Sequence, residues 1–336
     1  MREMILGGDI TSALTSFAGL GLALILEGEG AQRVCLGWTD EAEPRLEVSA
    51  EGYDDDAIAA AVHRHAQATA APGTWIHTDL EGEPWNGTSA VFSPRVKAAG
   101  TVEQWRELQR LRHDGIDRVA RQESAADLIG ALGEPAYWRF ADKEMKKPRP
   151  DDGANRWEMK TRNRGEDFVA NRLRSLAQIV SARTVERVAT GLCGQTLIDE
   201  AYKGKRSEDS RTPTGLTPPR FTDSALAWCA LWGIASFPVI HRLRQTSVTA
   251  GGVPVGKFTP ECLVLPMIVG GASLERWRAL LVSRQLVMAK DPQEKGPRAW
   301  LRSHGVRALA VFPLHVSDNP NAPERSLGAG RIEVLA

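Results

Sequence analysis

The chain has 336 residues, and 42% of them are hydrophobic, which is typical of a globular protein with one large domain or two ordinary ones. Its formal net charge is zero, which taken alone argues against a nucleic-acid partner. The cysteines, at positions 35, 193, 229 and 262, lie far apart and form no CxxC pair, which disfavours a disulfide framework or a zinc site. We expect buried free thiols in a reducing, cytoplasmic compartment.

The charge is divided unevenly along the chain. Residues 1–60 carry 3 basic and 12 acidic residues, a net charge of −9, and residues 61–138 carry 8 and 10, a net charge of −2. Residues 139–336 carry 31 and 20, a net charge of +11. A basic excess of this size is typical of a surface that binds a polyanion. The alternative is an assembly protein whose basic part docks on acidic protein, either its own front half or another subunit.

The front of the chain predicts mixed α/β structure. Residues 10–26 are apolar but too short and too often interrupted for a membrane span, so we expect a buried helix and no membrane contact. Asp9 or Thr11 is its predicted cap, and Gly28 or Gly30 its predicted end. Strands are predicted at 33–38 and 45–48, and an alanine-rich helix follows over 56–70.

The middle of the chain alternates loops and helices. Residues 71–100 are rich in Pro, Gly, Trp and Asn, which is typical of loops, and 101–131 predict one or two helices. The basic stretch 139–167 predicts an exposed loop, and helix returns over 168–188. The polar stretch 203–220 has no apolar periodicity. We expect mobile basic loops near 140–167 and 203–220.

The rear of the chain predicts helices and short strands. Thr222 or Asp223 is predicted to cap a helix that runs to residue 235, and a second helix is expected over 274–288 after Ser273. Residues 239–245 and 257–265 are candidates for a paired hairpin, and 308–312 and 331–335 for further strands. The predicted fold class is therefore α+β, with several helices packed on short, mainly antiparallel sheets. It combines an acidic α/β region over 1–138 with a basic α+β region over 139–336.

Four clusters of basic and amide side chains in the rear half are predicted to bind nucleic acid. Phosphate neutralisation needs positive side chains but no fixed spacing, and loops let such side chains follow a curved backbone. The first cluster is Lys143, Lys146, Lys147 and Arg149; the second is Lys160, Arg162, Asn163 and Arg164; the third is Lys203, Lys205, Arg206 and Arg211; the fourth is Arg242, Arg244 and Gln245. Base reading needs such groups on a small rigid element, and Trp85 with Asn86, or Arg242 with Arg244, are the candidates.

A second set of residues suggests a different chemistry. His63 and His65, followed by His77 and Asp79, are ligand types that metal-dependent hydrolases use. On a helix, positions 63 and 65 point about 200° apart, which disfavours joint binding of one ion. A metal-dependent nuclease or hydrolase is therefore the alternative to a binding protein. The chain has no phosphate-loop or nucleophile-elbow motif, and we expect no cofactor.

Three passages of the sequence resemble a known family. They are the helix at 14–26 with the segments 37–41 and 44–46 after it, the central basic block up to 175–178, and residues 223–238 with 265–266. These passages resemble the Cas-eight-type large subunits of CRISPR Cascade effectors, in particular the compact form of the type I-U branch, also called I-G. The last 30 residues predict strands rather than a helical bundle, so a built-in small-subunit domain is not expected.

The resemblance implies a non-catalytic subunit. Such a subunit lies at the 5′ end of the guide RNA within a ribonucleoprotein, in contact with other Cascade subunits. It inspects duplex target DNA for the flanking motif, helps to open it and holds the displaced strand, while base pairing reads the target. A separate helicase-nuclease is then recruited in trans.

Overall fold

The computed structural model describes residues 3–80, 89–96, 99, 101–134, 153–159, 168–201, 214–240, 242, 247–257, 259–318 and 325–335. These residues form an α+β fold in which helices pack on small antiparallel sheets, as predicted.

The described residues form ten α-helices, which supply many of the core residues. In chain order they are α1 (Ala13–Gly28), α2 (Asp55–Ala70), α3 (Val102–Val119), α4 (Glu123–Leu132), α5 (Arg174–Ser181), α6 (Val185–Leu192), α7 (Ser224–Gly233), α8 (Leu274–Leu281), α9 (Arg284–Met288) and α10 (Lys295–Ser303). A π-helical turn, Phe168–Leu173, leads into α5. Short 3-10 turns cover Trp75–His77, Arg156–Glu158 and Ile234–Ser236.

The strands pair antiparallel in two larger sheets and two short ribbons. In chain order they are β1 (Met4–Ile5), β2 (Gln32–Trp38), β3 (Leu46–Glu51), β4 (Asp79–Leu80), β5 (Ser89–Ala90), β6 (Val239–Ile240), β7 (Val248–Thr249), β8 (Gly252–Val253), β9 (Cys262–Ile268), β10 (Val306–Val316), β11 (Arg325–Leu327) and β12 (Arg331–Val334). The first sheet has the order β1-β3-β2, and the second has the order β11-β10-β9-β8, with β12 also paired to β10. The ribbons are β4–β5 and β6–β7.

Helix α1 is buried on all sides, which confirms the interpretation of the apolar run. It ends at Gly28, and Gly30, two positions later, has a φ of +86°, in the left-handed region that favours glycine. Its N-cap is Ser12 rather than Asp9 or Thr11, because the Asp9 carboxylate accepts from the backbone N–H of Thr11 at 2.8 Å instead.

Helix α7 is equally apolar and crosses α1 at glycines. A methyl group on Gly21 would lie 1.8 Å from the carbonyl oxygen of Cys229, and one on Gly233 would lie 2.0 Å from that of Phe17. The two backbones therefore touch, and only glycine allows this approach.

One hydrophobic core includes residues from the acidic and the basic region. Leu36 of β2 forms an isolated β-bridge with Ala272, and the indole N–H of Trp277 donates to the carbonyl oxygen of Leu36 at 3.0 Å. The boundary at residue 138 therefore separates two regions of charge, while core residues from both sides pack together.

Three predicted elements differ in the structure. The hairpin between 239–245 and 257–265 is wrong: β6 pairs with β7, and the fully buried β9 pairs with β8 and β10. The helix predicted over 274–288 is two helices, because the Ser283 hydroxyl accepts from the N–H of Leu286 and begins α9. The helix predicted over 168–188 is interrupted in the same way where Thr184 caps α6.

The predicted exposed loops also need correction where the structure describes them. Residues 153–159 belong to the predicted loop at 139–167, yet every one of them is buried. Residues 214–217, from the predicted loop at 203–220, are buried as well. The sequence is polar in both places, but polar side chains such as Asn155 and Thr214 form hydrogen bonds inside the protein.

Candidate nucleic-acid interface

Residues 153–159, hereafter the anchor segment, join the first predicted basic cluster to the second. Asn155 is fully buried, and its side-chain amide donates to the carbonyl oxygens of Ala131 at 2.7 Å and Phe237 at 2.8 Å. Its side-chain oxygen accepts from the backbone N–H of Trp157 at 2.8 Å. A buried amide is stable only when it is satisfied in this way, so Asn155 ties the anchor segment to α4 and to the end of the Ile234–Ser236 turn.

The anchor segment also holds both ends of the stretch that contains the first cluster. Gly133 and Ala154 form an isolated antiparallel bridge, and the N–H of Asn155 donates to the carbonyl oxygen of Leu132 at 2.9 Å. A methyl group on Gly133 would lie 2.2 Å from the carbonyl oxygen of Gly153, so the two chain segments are in backbone contact. Residues 134 and 153, which lie at the two ends of the intervening stretch, are therefore side by side.

One arginine links the flanks of the second and third clusters. The same nitrogen of Arg172, Nη1, donates to the carbonyl oxygen of Glu158 at 3.1 Å and to that of Thr214 at 2.8 Å. Gly215 packs directly on Met159, since a methyl group on Gly215 would lie 2.6 Å from the Cβ of Met159. Met159 immediately precedes Lys160, and Thr214 follows Arg211 by three positions. The residues that precede the second cluster and those that follow the third therefore lie next to each other.

The anchor segment also contacts residues that follow the fourth cluster in the sequence. The N–H of Arg156 donates to the Thr249 hydroxyl at 3.1 Å, and the indole N–H of Trp157 donates to the carbonyl oxygen of Ala250 at 2.8 Å. Arg242 is exposed, and its Nη1 would lie 2.8 Å from a methyl group on Gly256. The β6–β7 ribbon, which flanks Arg242, is therefore fixed against the anchor segment.

A buried ion pair joins Glu158 of the anchor segment to Arg95. The Arg95 guanidinium contacts the Glu158 carboxylate, and their side chains are 1% and 0% exposed. Burying two charges costs much of what their attraction returns, so such a pair fixes position more than it adds net stability.

Most predicted contact residues lie outside the described residues. This applies to Lys143, Lys146, Lys147, Arg149, Lys160, Arg162, Asn163, Arg164, Lys203, Lys205, Arg206, Arg211, Arg244, Gln245, Trp85 and Asn86. Arg242 is the predicted contact that the structure describes. The geometry therefore concerns the flanks of the clusters, and the contacts themselves stay predictions.

The residues of the hydrolase alternative are described, and each has a separate structural partner. His65 is half-buried against the rings of Trp228 and Trp232, with centroid distances of 5.6 and 4.4 Å, and desolvation of its ring lowers its pKa to about 3. A ring nitrogen of His63 lies 3.1 Å from the carbonyl oxygen of Ser181.

The other two residues of that set are also engaged. His77 approaches the carbonyl oxygen of Ala70 at 3.3 Å, and Asp79 accepts from Arg174 at 2.8 Å. Within the described part of the chain, no three His, Cys, Asp or Glu side chains are grouped so that they could hold a metal ion. The cysteines are free thiols as predicted, although Cys35 and Cys193 are only half-buried.

Asn155 and Arg172, which hold these flanks together, could not be identified from the sequence. Asn155 lies in a polar stretch, and Arg172 lies in a predicted helix where an arginine is ordinary. The one available signal was Trp157 with Met159, two large apolar residues inside a stretch predicted to be exposed.

No protein-family model, no curated protein and no solved structure matches this chain. Among the described residues, every helix is too short or too polar to cross a membrane.

Proposed function

We propose that this protein is a non-catalytic nucleic-acid-binding subunit of a CRISPR–Cas surveillance complex. It would contact duplex target DNA and its flanking motif and stabilise the opened strands. The observation that supports nucleic-acid binding is the common origin of the basic clusters, whose flanking residues meet at the anchor segment. The CRISPR assignment rests on the resemblance described above.

Because the chain is continuous, the contacts between the flanking residues limit how far apart the nearest cluster residues can be. An extended chain spans at most about 3.6 Å per residue, so Lys160 stays next to Met159, and Arg211 stays within about 11 Å of Thr214. The carbonyl oxygens of Glu158 and Thr214 both lie within 3.1 Å of one Arg172 nitrogen. Lys160 of the second cluster and Arg211 of the third are thus tied to one place in the fold.

Gathered charge binds a polyanion better than scattered charge does. At physiological salt, charges act over roughly 8 Å, so basic groups must lie near one another to act on the same phosphates. Each phosphate that is neutralised releases condensed counterions, which strengthens binding and makes it salt-dependent. Clusters that share one anchor suit this requirement, whereas the same residues spread over the whole surface would not.

The experiment measures duplex DNA affinity over a range of salt concentrations. The test variant combines Lys146→Glu, Lys147→Glu, Lys203→Glu and Lys205→Glu. Each lost phosphate contact lowers the slope of log affinity against log salt by about 0.9, so we expect the slope to fall by up to about 3.6. A matched control reverses the same number of exposed basic residues in the front half, at Arg33, Arg106, Arg118 and Arg121.

The outcomes separate the candidate functions. Equal affinity and equal slope in the test variant and the parent protein would overturn the nucleic-acid proposal. Binding to acidic protein that survives nuclease treatment would favour the assembly role. Metal-dependent cleavage of the DNA that His77→Ala abolishes would favour the hydrolase alternative.

A further inference from the structure

A cleft of about 570 Å³ lies between the end of α10 and the start of β10. Its lining consists of Ala299, Arg302, Ser303, Val306, Arg307 and Leu335. One wall is closed by the hydrogen bond from the N–H of Leu335 to the carbonyl oxygen of Arg307, at 3.0 Å. The volume falls within the range of roughly 300–1,000 Å³ that is usual for small-molecule sites.

The side chains of two arginines of this cleft have no interaction partner among the described residues. Arg302 and Arg307 are exposed, and neither guanidinium forms an ion pair or hydrogen bond with any residue that the structure describes. Arg298, one turn earlier on α10, is fully engaged, since it donates to the carbonyl oxygens of Ala289 at 2.9 Å and Val334 at 3.1 Å. No carboxylate side chain lines the cleft among the described residues. Both guanidinium groups are therefore open to an anion that enters the cleft.

The C-terminal end of α10 does not explain this pair. A cation there stabilises the helix dipole, but the last carbonyl groups are already satisfied. The N–H of His304 donates to Trp300 and Leu301, the N–H of Gly305 donates to Arg302, and the Ser303 hydroxyl donates to Trp300 at 2.7 Å. Arg307 lies beyond the turn on β10, where the dipole has faded. The end of the helix therefore does not account for Arg307.

The lining chemistry identifies the ligand class. Guanidinium groups present planar donors that match phosphate oxygens, and Arg302 and Arg307 offer two of them to one space. Beside them Ala299 adds an exposed apolar side chain, while Val306 and Leu335 form the buried floor of the cleft. We propose that the cleft binds the phosphate of a nucleotide through the two arginines. The phosphate belongs either to a free mononucleotide or to the terminal nucleotide of a strand.

The test is a calorimetric titration of the full chain with adenosine 5′-monophosphate, and with adenosine as the ligand that lacks the phosphate. We expect the parent protein to bind the monophosphate and to bind adenosine at least about tenfold more weakly. In a variant that combines Arg302→Gln and Arg307→Gln, monophosphate binding should weaken by about tenfold or more. Arg284→Gln, at an exposed arginine of α9, is the matched control and should leave the affinity unchanged.

Two hexanucleotides, one with a 5′-phosphate and one without, distinguish the sources of the phosphate. Binding of the phosphorylated strand that is tighter than that of the unphosphorylated strand and of the monophosphate, and that the double variant loses, assigns the cleft to a strand end. Binding of the monophosphate that is tighter than that of the phosphorylated strand assigns it to a free nucleotide. Both replaced side chains are exposed, so the variant should melt at the same temperature as the parent. The proposal is overturned if the parent binds no probe, does not distinguish the monophosphate from adenosine, or loses no affinity in the double variant.

This site does not depend on the basic clusters. The variant with reversed charges at Lys146, Lys147, Lys203 and Lys205 should retain its affinity for the monophosphate. Failure of the cleft proposal and failure of the duplex-binding proposal therefore give different results.

Discussion

The α1–α7 helix pair and the anchor segment are both buried, but different forces hold them. The helices are apolar on every side and meet through glycine backbones at Gly21 and Gly233. The anchor segment is polar and is held by the Asn155 side chain, by Arg172 and by the ion pair between Arg95 and Glu158. Apolar burial is non-directional and builds the core, whereas hydrogen bonds have a required geometry and fix a position. The helices therefore supply stability, and the anchor segment fixes the position of the residues that flank the basic stretches.

The largest expected effect comes from separating the two helices. Gly21→Ala places a methyl group 1.8 Å from the carbonyl oxygen of Cys229, so the backbones must move apart and the surrounding core must repack. We expect the free energy of unfolding to fall by about 4 kcal/mol or more, measured by urea denaturation.

Gly130→Ala is the matched control, because Gly130 is also inside a helix but has open space around it. Alanine should raise the free energy of unfolding there by about 0.5–1 kcal/mol. If Gly21→Ala were as stable as the parent protein, close backbone contact would not hold the helix pair.

The second-largest expected effect concerns the buried ion pair of the anchor segment. Glu158→Gln leaves the Arg95 charge buried without its partner, so the free energy of unfolding should fall by roughly 3–5 kcal/mol. Urea denaturation measures this as well. Replacing both partners, with Arg95→Met and Glu158→Leu, should restore most of the loss because no buried charge remains.

Glu29→Gln serves as the control, since Glu29 pairs with Arg64 at 3.0 Å on the surface, where Arg64 is 54% exposed. The loss there should stay below about 1 kcal/mol. Equal losses at Glu158 and Glu29 would show that the buried pair does not fix the anchor segment.

The smallest effect is a pH dependence inside the apolar region. His65 packs against Trp228 and Trp232 of α7, and burial lowers its pKa to about 3 in the folded protein. In the unfolded chain the pKa is about 6.5, so protons bind preferentially to the unfolded state as the pH falls from 6.5 towards 3. Stability from neutral His65 is thus present above pH 6.5 and should decrease by about 2.5 kcal/mol between pH 7 and 4.5.

Urea denaturation of the parent protein and of His65→Phe at several pH values isolates this contribution. Glu27 acts in the opposite direction, because burial and the nearby Glu275 raise its pKa to about 7 and its protonation favours the folded state. Since Glu27 is present in both proteins, its contribution cancels in the difference between them. If the free energies of unfolding of the two proteins changed with pH in parallel, the contacts with the tryptophans would not hold His65 in its neutral form.

Elements with strong local signals could be predicted from the sequence. The Asp54 carboxylate accepts from the N–H of Ala57 and begins α2, and Asp223 begins α7 in the same way. The long apolar run of α1 and the alternation in β2 and β3 are equally local. Such signals depend on neighbours within a few residues, which the sequence displays directly.

The remaining features depend on residues far apart in the chain. Asn155 is buried because Ala131 and Phe237 accept its hydrogen bonds, and no local pattern reveals those partners. Strand β9 pairs with β10, which begins 38 positions after β9 ends, so the nearer segment at 239–245 was the wrong choice. The cleft arginines belong to no predicted cluster, because they share one space only after the chain turns at Gly305.

The bridge between Gly133 and Ala154 bears on how this protein can change over evolutionary time. Gly133 and Ala154 are paired, so the two ends of the intervening segment are held side by side. Doubling the length of a segment whose ends meet in this way costs only about 0.6 kcal/mol in closure entropy. Changes of length between these two positions therefore cost little closure entropy, which makes this a suitable place to insert new recognition sequences.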